Sequence, residues 1–130
     1  MKKWQRLEEA VATDGSVLSL HSHDEDYAIR VNGRELMSTR RHASEMRMAE
    51  VACAPYAAAK RTRALIGGLG LGFTLRAALK ALGKDAEVVV AELMPEVITW
   101  NRNPAYRLAN RELEDPRTKI VIGDVFRIIG

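Results

Sequence analysis

The pattern of apolar and polar positions changes period near residue 42. Before it, short alternating runs are separated by turn chemistry. Asp14-Gly15 follows a first run, and Val17-Leu18-Ser19-Leu20 alternates after it. Asp-Gly between such runs is a hairpin signal. The polar cluster from His21 to Asp26 predicts a second turn. Tyr27-Ala28-Ile29-Arg30-Val31 alternates again, Asn32-Gly33 is a tight-turn pair, and Arg34 to Met37 is the expected return strand. The expectation is an antiparallel meander of roughly three to five strands.

From His42 the spacing becomes helical. Met46, Ala49, Val51, Ala52 and Cys53 fall on one face, and Pro55 lies just beyond it. Ala57-Ala58-Ala59 either extends this helix or opens another turn, and Lys60-Arg61-Thr62-Arg63 is a connector. Ala64-Leu65-Ile66 is a short apolar run stopped by Gly67-Gly68. Phe73 to Leu82 is rich in helix formers, with Gly83 placed as its cap. Glu87 to Ala91 holds Val88-Val89-Val90, which lacks polar alternation and reads as a buried strand. Pro95 suits the first turn of a helix through Trp100. A further short helix is expected over Tyr106 to Leu113, and Ile120-Val121-Ile122 is a third buried-type strand before Gly123-Asp124. Apolar strands alternating with helices make a parallel α/β unit. The expected fold class is α/β: a small N-terminal antiparallel β-meander, then the first half of a Rossmann-like parallel sheet. The expected division is residues 1–41 and 42–130, with the helix over 42–54 as connector.

Composition narrows the classes. At 130 residues and 47% hydrophobic, the chain suits one compact domain, or a small one plus part of another. Twenty Lys+Arg against 17 Asp+Glu leave +3, too small a surplus to argue for nucleic acid. Cys53 is the single cysteine, so no intrachain disulfide can form, and a reducing, cytoplasmic setting fits. No apolar stretch approaches the roughly 20 residues of a membrane helix. Trp4-Gln5-Arg6 after Met1-Lys2-Lys3 does not read as a signal peptide.

The strongest chemical signal is Ile66-Gly67-Gly68-Leu69-Gly70-Leu71-Gly72, between a predicted strand and a predicted helix. Glycines there permit a sharp turn and let a ligand approach backbone N–H groups. Phe73-Thr74 stands where a phosphate-binding Walker loop needs Lys and then Ser or Thr. Phe73 or Leu75 also stands where a dinucleotide loop needs its third glycine. What remains is Gly-x-Gly-x-Gly at Gly68, Gly70 and Gly72. Glu92 follows Gly72 by 20 residues, at the end of the second strand, where an acid can accept from both hydroxyls of a ribose. Asp124, past the third strand, can accept from an exocyclic adenine amine while the next backbone N–H donates to a ring nitrogen. The competing readings are a bare turn for the glycines, a helix-end charge for Glu92 and a solvated turn for Asp124.

These motifs resemble the class I S-adenosylmethionine-dependent methyltransferases, and more narrowly their spermidine synthase-like branch. The resemblance rests on Leu65 to Arg76, Val90 to Val97, Asp115-Pro116-Arg117 and Ile120 to Asp124. A softer match covers Asn32-Gly33, Met37-Ser38-Thr39 and Glu45-Met46. It implies a cofactor site of Gly67, Gly68, Gly70, Gly72, Glu92, Leu93, Asp124 and Val125. The implied cofactor is S-adenosylmethionine, its decarboxylated form or methylthioadenosine. The chain departs from aminopropyltransferases in three places. Leu71 stands for an acid in the glycine loop, Met37 for a glutamine, and Ala43-Ser44 for a Tyr-His pair. A polyamine cation needs carboxylates and aromatic walls, so spermidine synthesis by these 130 residues is not expected. The sequence stops soon after the third strand, so it reads as a truncated product or a piece of a longer chain. No catalytic residue is assigned.

Other residues take the blander reading. His21 and His23 with Asp24 and Asp26 have metal-ligand character but sit in a polar turn, and no metal is expected. The basic residues Arg40, Arg41, Arg47, Lys60, Arg61 and Arg63 are spread over helix and connector and read as solvated surface. Trp100 and Cys53 read as core. The expected partner is a small nucleoside with an unassigned acceptor, the expected assembly a homodimer, with no membrane and no nucleic acid. The alternative function is a noncatalytic nucleoside-binding or dimer-forming module.

Overall fold

The computed structural model describes residues 3–124. The chain divides into two compact units, Met1–His42 and Ala43–Gly130.

The first unit is a four-stranded sheet of β1 (Gln5–Val11), β2 (Val17–His23), β3 (Asp26–Val31) and β4 (Arg34–Ser38), paired in that order. Every neighbouring pair is antiparallel. Leu20 and Ile29 lie opposite each other and are buried, with Tyr27, Ala28 and Ala10 completing the core. The expected turn over His21 to Asp26 is corrected: β2 runs on through His23. His21 pairs with Ala28, Ser22 with Tyr27 and His23 with Asp26, so only Asp24 and Glu25 lie between the strands. The polar side chains there belong to the packing. His21 is buried and its Nε2 lies 2.7 Å from Ser19 Oγ, two residues back on the same face. His23 packs on Trp4 with ring centroids 5.3 Å apart, and Arg40 lies 5.5 Å over the same indole. Asp26 accepts from Arg40 Nε at 2.8 Å and from Thr39 Oγ1 at 2.9 Å, which holds its carboxyl below the usual range.

The second unit opens with α1 (Ala43–Cys53) and a 3-10 turn at Ala54–Tyr56. Then come β5 (Arg63–Gly67), α2 (Phe73–Ala81), β6 (Glu87–Glu92), α3 (Pro95–Arg102), α4 (Asn110–Glu114) and β7 (Thr118–Ile122). The three strands form a parallel sheet in the order β5-β6-β7, with Ile66, Val90 and Ile120 in register. Val88 and Val90 of the middle strand are fully buried, as the unbroken valine run predicts. Ala49 and Cys53, one turn apart on α1, are buried, whereas Met48, Val51 and Tyr56 stay exposed. No helix among the described residues is long and apolar enough to cross a membrane.

Two local expectations are corrected. The helix expected over Tyr106 to Leu113 is only Asn110–Glu114. Asparagine side chains take the preceding backbone: Ala105 N–H donates to Asn103 Oδ1 and Ala109 N–H to Asn101 Oδ1. Gly83 does not close α2 in a left-handed cap either. Leu82 turns extended, and Arg117 Nη1 donates to the carbonyls of Leu79, Leu82 and Gly83 at 2.9, 3.0 and 3.2 Å. Asp115 aims that guanidinium, accepting from Arg117 Nε at 3.0 Å and Nη2 at 2.9 Å. The pairing lowers the Asp115 pKa and raises that of Arg117.

Candidate functional site

The glycine loop leaves the carboxyl end of β5 and enters α2. Gly68 N–H donates to Ala91 O of the neighbouring strand at 2.7 Å. The loop then turns through φ values of +94° at Gly68, +56° at Gly70 and +83° at Gly72. Gly72 is the N-cap of α2 and is buried: a Cβ there would overlap the Ala109 side chain. Gly68 differs. It is exposed, and nothing lies within 4 Å of where its Cβ would be. One glycine is demanded by packing, and the other leaves backbone open to solvent.

Glu92 ends β6 beside this loop and is 7% exposed. Its Oε1 accepts Leu69 N–H at 2.8 Å, and its Oε2 accepts Met94 N–H at 3.0 Å. One carboxylate therefore ties the glycine loop to the turn that starts α3. Such charge-assisted bonds contribute about 1.5–3 kcal/mol each, against the cost of burying the charge. The Glu92 carbonyl also accepts Gly123 N–H at 2.9 Å, joining the β6 and β7 exits. Asp124 follows, half-buried. The exits of all three strands are thus linked by hydrogen bonds to Ala91 and Glu92, at the end of the sheet where ligands of open α/β sheets bind.

Of the expected residues, Gly67, Gly68, Gly70, Gly72 and Glu92 lie at these joined strand ends. Leu93, between Glu92 and Met94, is 59% exposed. Asp124 lies at the β7 exit, and Val125 falls outside the described residues. Leu71 is buried, so the loop carries an apolar side chain inward where the resemblance implies an acid.

Asn101 is a structural member of the site that the sequence reading passed over. It is 1% exposed on α3. Its Nδ2 donates to Gly70 O at 2.8 Å and to Val97 O at 2.8 Å, while Oδ1 accepts Ala109 N–H at 3.2 Å. The amide clamps the middle of the glycine loop from below. The available signal is its place one helical turn after Val97, on a face that otherwise carries apolar residues.

The remaining candidates are absorbed by packing. Trp100 is buried in α3, and burial pushes the Cys53 thiol pKa up. Among the described residues no three His, Cys, Asp or Glu side chains converge as metal ligands would. Among the basic residues, Arg41, Arg47 and Arg63 make exposed ion pairs with Glu35, Glu50 and Glu87.

No family model matches the sequence, and no curated protein does. Solved structures do. The chain is similar to spermidine synthase from Thermotoga maritima, with TM-score 0.76 at 20% identity over 96% of this chain and 43% of that one. A spermidine synthase in complex with the transition state analogue AdoDATO gives 0.73 at 19% identity, with the same coverage. A probable spermidine synthase from Corynebacterium glutamicum gives 0.57 at 17%, over 98% of this chain and 47% of that one. The chain spans less than half the length of these proteins. At such identity the likeness establishes architecture, and the architecture of this chain is the spermidine synthase fold over that shared part.

Proposed function

We propose that the chain binds S-adenosylmethionine, its decarboxylated form or methylthioadenosine at the joined strand ends. The observation that carries this reading is the open backbone at Gly68 beside the buried carboxylate of Glu92. The residues present fit such a group. Gly68 leaves room for a nucleoside to approach the main chain. Glu92 has both oxygens fixed by backbone donors, and each keeps acceptor capacity for a ribose hydroxyl. Asp124 would accept from the adenine amine, with Val125 N–H as the companion donor expected from the sequence. Leu93, beside Glu92, would supply apolar surface. A bound sulfonium cofactor supplies the leaving group for displacement at an adjacent carbon, and this chain's residues hold and orient it.

The proposed reaction is transfer of a methyl or aminopropyl group. A noncatalytic nucleoside-binding module is the second reading, favoured by Leu71, which is buried and cannot accept a hydrogen bond from a substrate ammonium. A cytoplasmic setting accords with the lone cysteine.

The test is calorimetric titration with each of the three nucleosides. Saturable binding is expected, and Glu92→Ala should weaken it by about 1–3 kcal/mol, the cost of stranding buried polar groups. Absence of binding by all three to the folded chain refutes the reading. Binding that Glu92→Ala leaves unchanged removes Glu92 from the site.

A further inference from the structure

We propose that the cleft between α2 and the chain from 104 to 112 binds a small phosphorylated molecule through its phosphate group. A cavity of about 490 Å³ opens there, lined by Arg76 of α2, Tyr106 and Arg107 of the connecting segment, and Arg111 and Glu112 of α4. A second cavity of about 290 Å³ shares Arg76, Arg111 and Glu112 and adds Lys80, Asp115 and Arg117. Five cations and two carboxylates line the pair. The whole chain has a surplus of only three positive charges, so the remainder of it holds equal numbers of each sign. A surplus too small to make the protein basic is concentrated in one concave place, where low-dielectric walls focus its field.

Side-chain bonds sort these cations. Arg117 is spent, with Nε and Nη2 on Asp115 and Nη1 on three carbonyls. Arg76 is spent at one edge only. Its Nε donates to Glu112 Oε1 at 2.9 Å, and its Cζ lies 5.7 Å over the Phe73 ring. Those contacts orient the guanidinium and leave its Nη groups as donors. The Glu112 carboxylate is turned inward, with Oε2 closed to solvent. Both acids of the cleft are therefore taken by Arg76 and Arg117. Lys80 and Arg111 are exposed and pair with no acid among the described residues.

The placement of the cations selects the ligand. They come from three parts of the chain: Arg76 and Lys80 one turn apart on α2, Arg107 before α4, and Arg111 on α4. A planar carboxylate is filled by one or two guanidinium forks. A phosphate presents its oxygens tetrahedrally and can accept from several cations at once, and the arginine fork matches it bidentately. The larger cavity has the volume of a small-ligand site. Pro104 and Tyr106 offer ring surface to the rest of the molecule. This site is separate from the nucleoside site at the strand ends and does not rest on it.

The experiment is calorimetric titration of the whole chain with inorganic diphosphate as the probe, at low salt. Saturable binding of about one diphosphate per chain is expected, with citrate weaker by about tenfold or more. Arg111→Ala removes a side chain that makes no bond of its own among the described residues, so the melting temperature should hold while diphosphate affinity falls about tenfold or more. Arg34→Ala, at an exposed cation of the first unit, should leave the affinity unchanged. The proposal is overturned by an absence of saturation up to about 10 mM. Citrate binding as tightly as diphosphate overturns it too, since that is charge attraction without phosphate recognition. So does an affinity that Arg111→Ala leaves untouched, which puts the probe elsewhere, the glycine loop included, or one that Arg34→Ala lowers equally. A short single-stranded RNA that binds more tightly than diphosphate and displaces it makes the cleft a nucleic-acid surface, and also overturns the proposal.

Discussion

Gly68→Ala and Gly72→Ala place the same methyl group on two residues of one loop, and the structure separates their consequences. Both residues have positive φ, so each alanine carries a backbone penalty of about 1–2 kcal/mol. At Gly72 the new Cβ also overlaps the Ala109 side chain, in a region pinned by the Asn101 amide. Overpacking of this kind costs a further ~1–3 kcal/mol, so Gly72→Ala should lose about 2–5 kcal/mol. At Gly68 nothing lies within 4 Å, and the stability loss should stay near 1–2 kcal/mol, a few degrees in melting temperature for a domain of this size. Binding should show the reverse order. The Gly68 methyl points into the space that a nucleoside would need, so its affinity should fall at least tenfold, about 1.4 kcal/mol. The assay pairs urea unfolding with calorimetric titration of S-adenosylmethionine on both variants and the parent. If Gly68→Ala binds within twofold of the parent, the loop is not approached by the ligand. If Gly72→Ala is no less stable than Gly68→Ala, the packing argument fails.

Arg117→Lys removes the fork that holds Asp115 and the reach to three α2 carbonyls, and should lower unfolding stability by about 1.5–3 kcal/mol, read from denaturant midpoints. Burial, with Arg30 and then Arg6, depresses the His21 pKa below 6.5, so the folded state binds fewer protons than the unfolded chain. Stability should therefore fall as pH drops through 6.5 toward the folded pKa, and His21→Gln should flatten that slope between about pH 7 and 5 in urea titrations followed by circular dichroism. Incubation of this chain with decarboxylated S-adenosylmethionine and putrescine should give no spermidine by mass spectrometry, because the buried Leu71 in the glycine loop offers no anchor for an ammonium. Turnover near 1 s⁻¹ or faster would show that the acceptor site lies elsewhere.

The architecture was legible because its signals are local. Alternation marked the meander, the valine run marked the central parallel strand, and the glycine loop, Glu92 and Asp124 marked the three strand exits. The failures are places where particular side-chain bonds, some local and some distant in sequence, decide the backbone. His21 to Asp26 looks like a turn by polarity, yet the buried bond to Ser19 and the stack on Trp4 make strand the better use of those histidines. Gly83 looks like a helix cap, yet Arg117, 34 residues on, takes the carbonyls that a cap would satisfy. Tyr106 to Leu113 has helical composition, but Asn101 and Asn103 already hold the N–H groups of Ala109 and Ala105. Propensity is a weak prior against such tertiary bonds.

Glu92 shows why a structural role and a binding role need not compete. An acid that only braced the loop could be replaced by any acceptor that meets Leu69 N–H and Met94 N–H. Those two bonds use part of the four acceptor directions of a carboxylate. They also fix the group without a flexible side chain having to be ordered when a ligand arrives, which reduces the cost of binding. Asn101 fixes the Gly70 carbonyl as well, so the loop is held at two successive residues, Leu69 and Gly70. The bracing of the loop by Glu92 and Asn101 is, in this geometry, what would preorganise the site for a ligand.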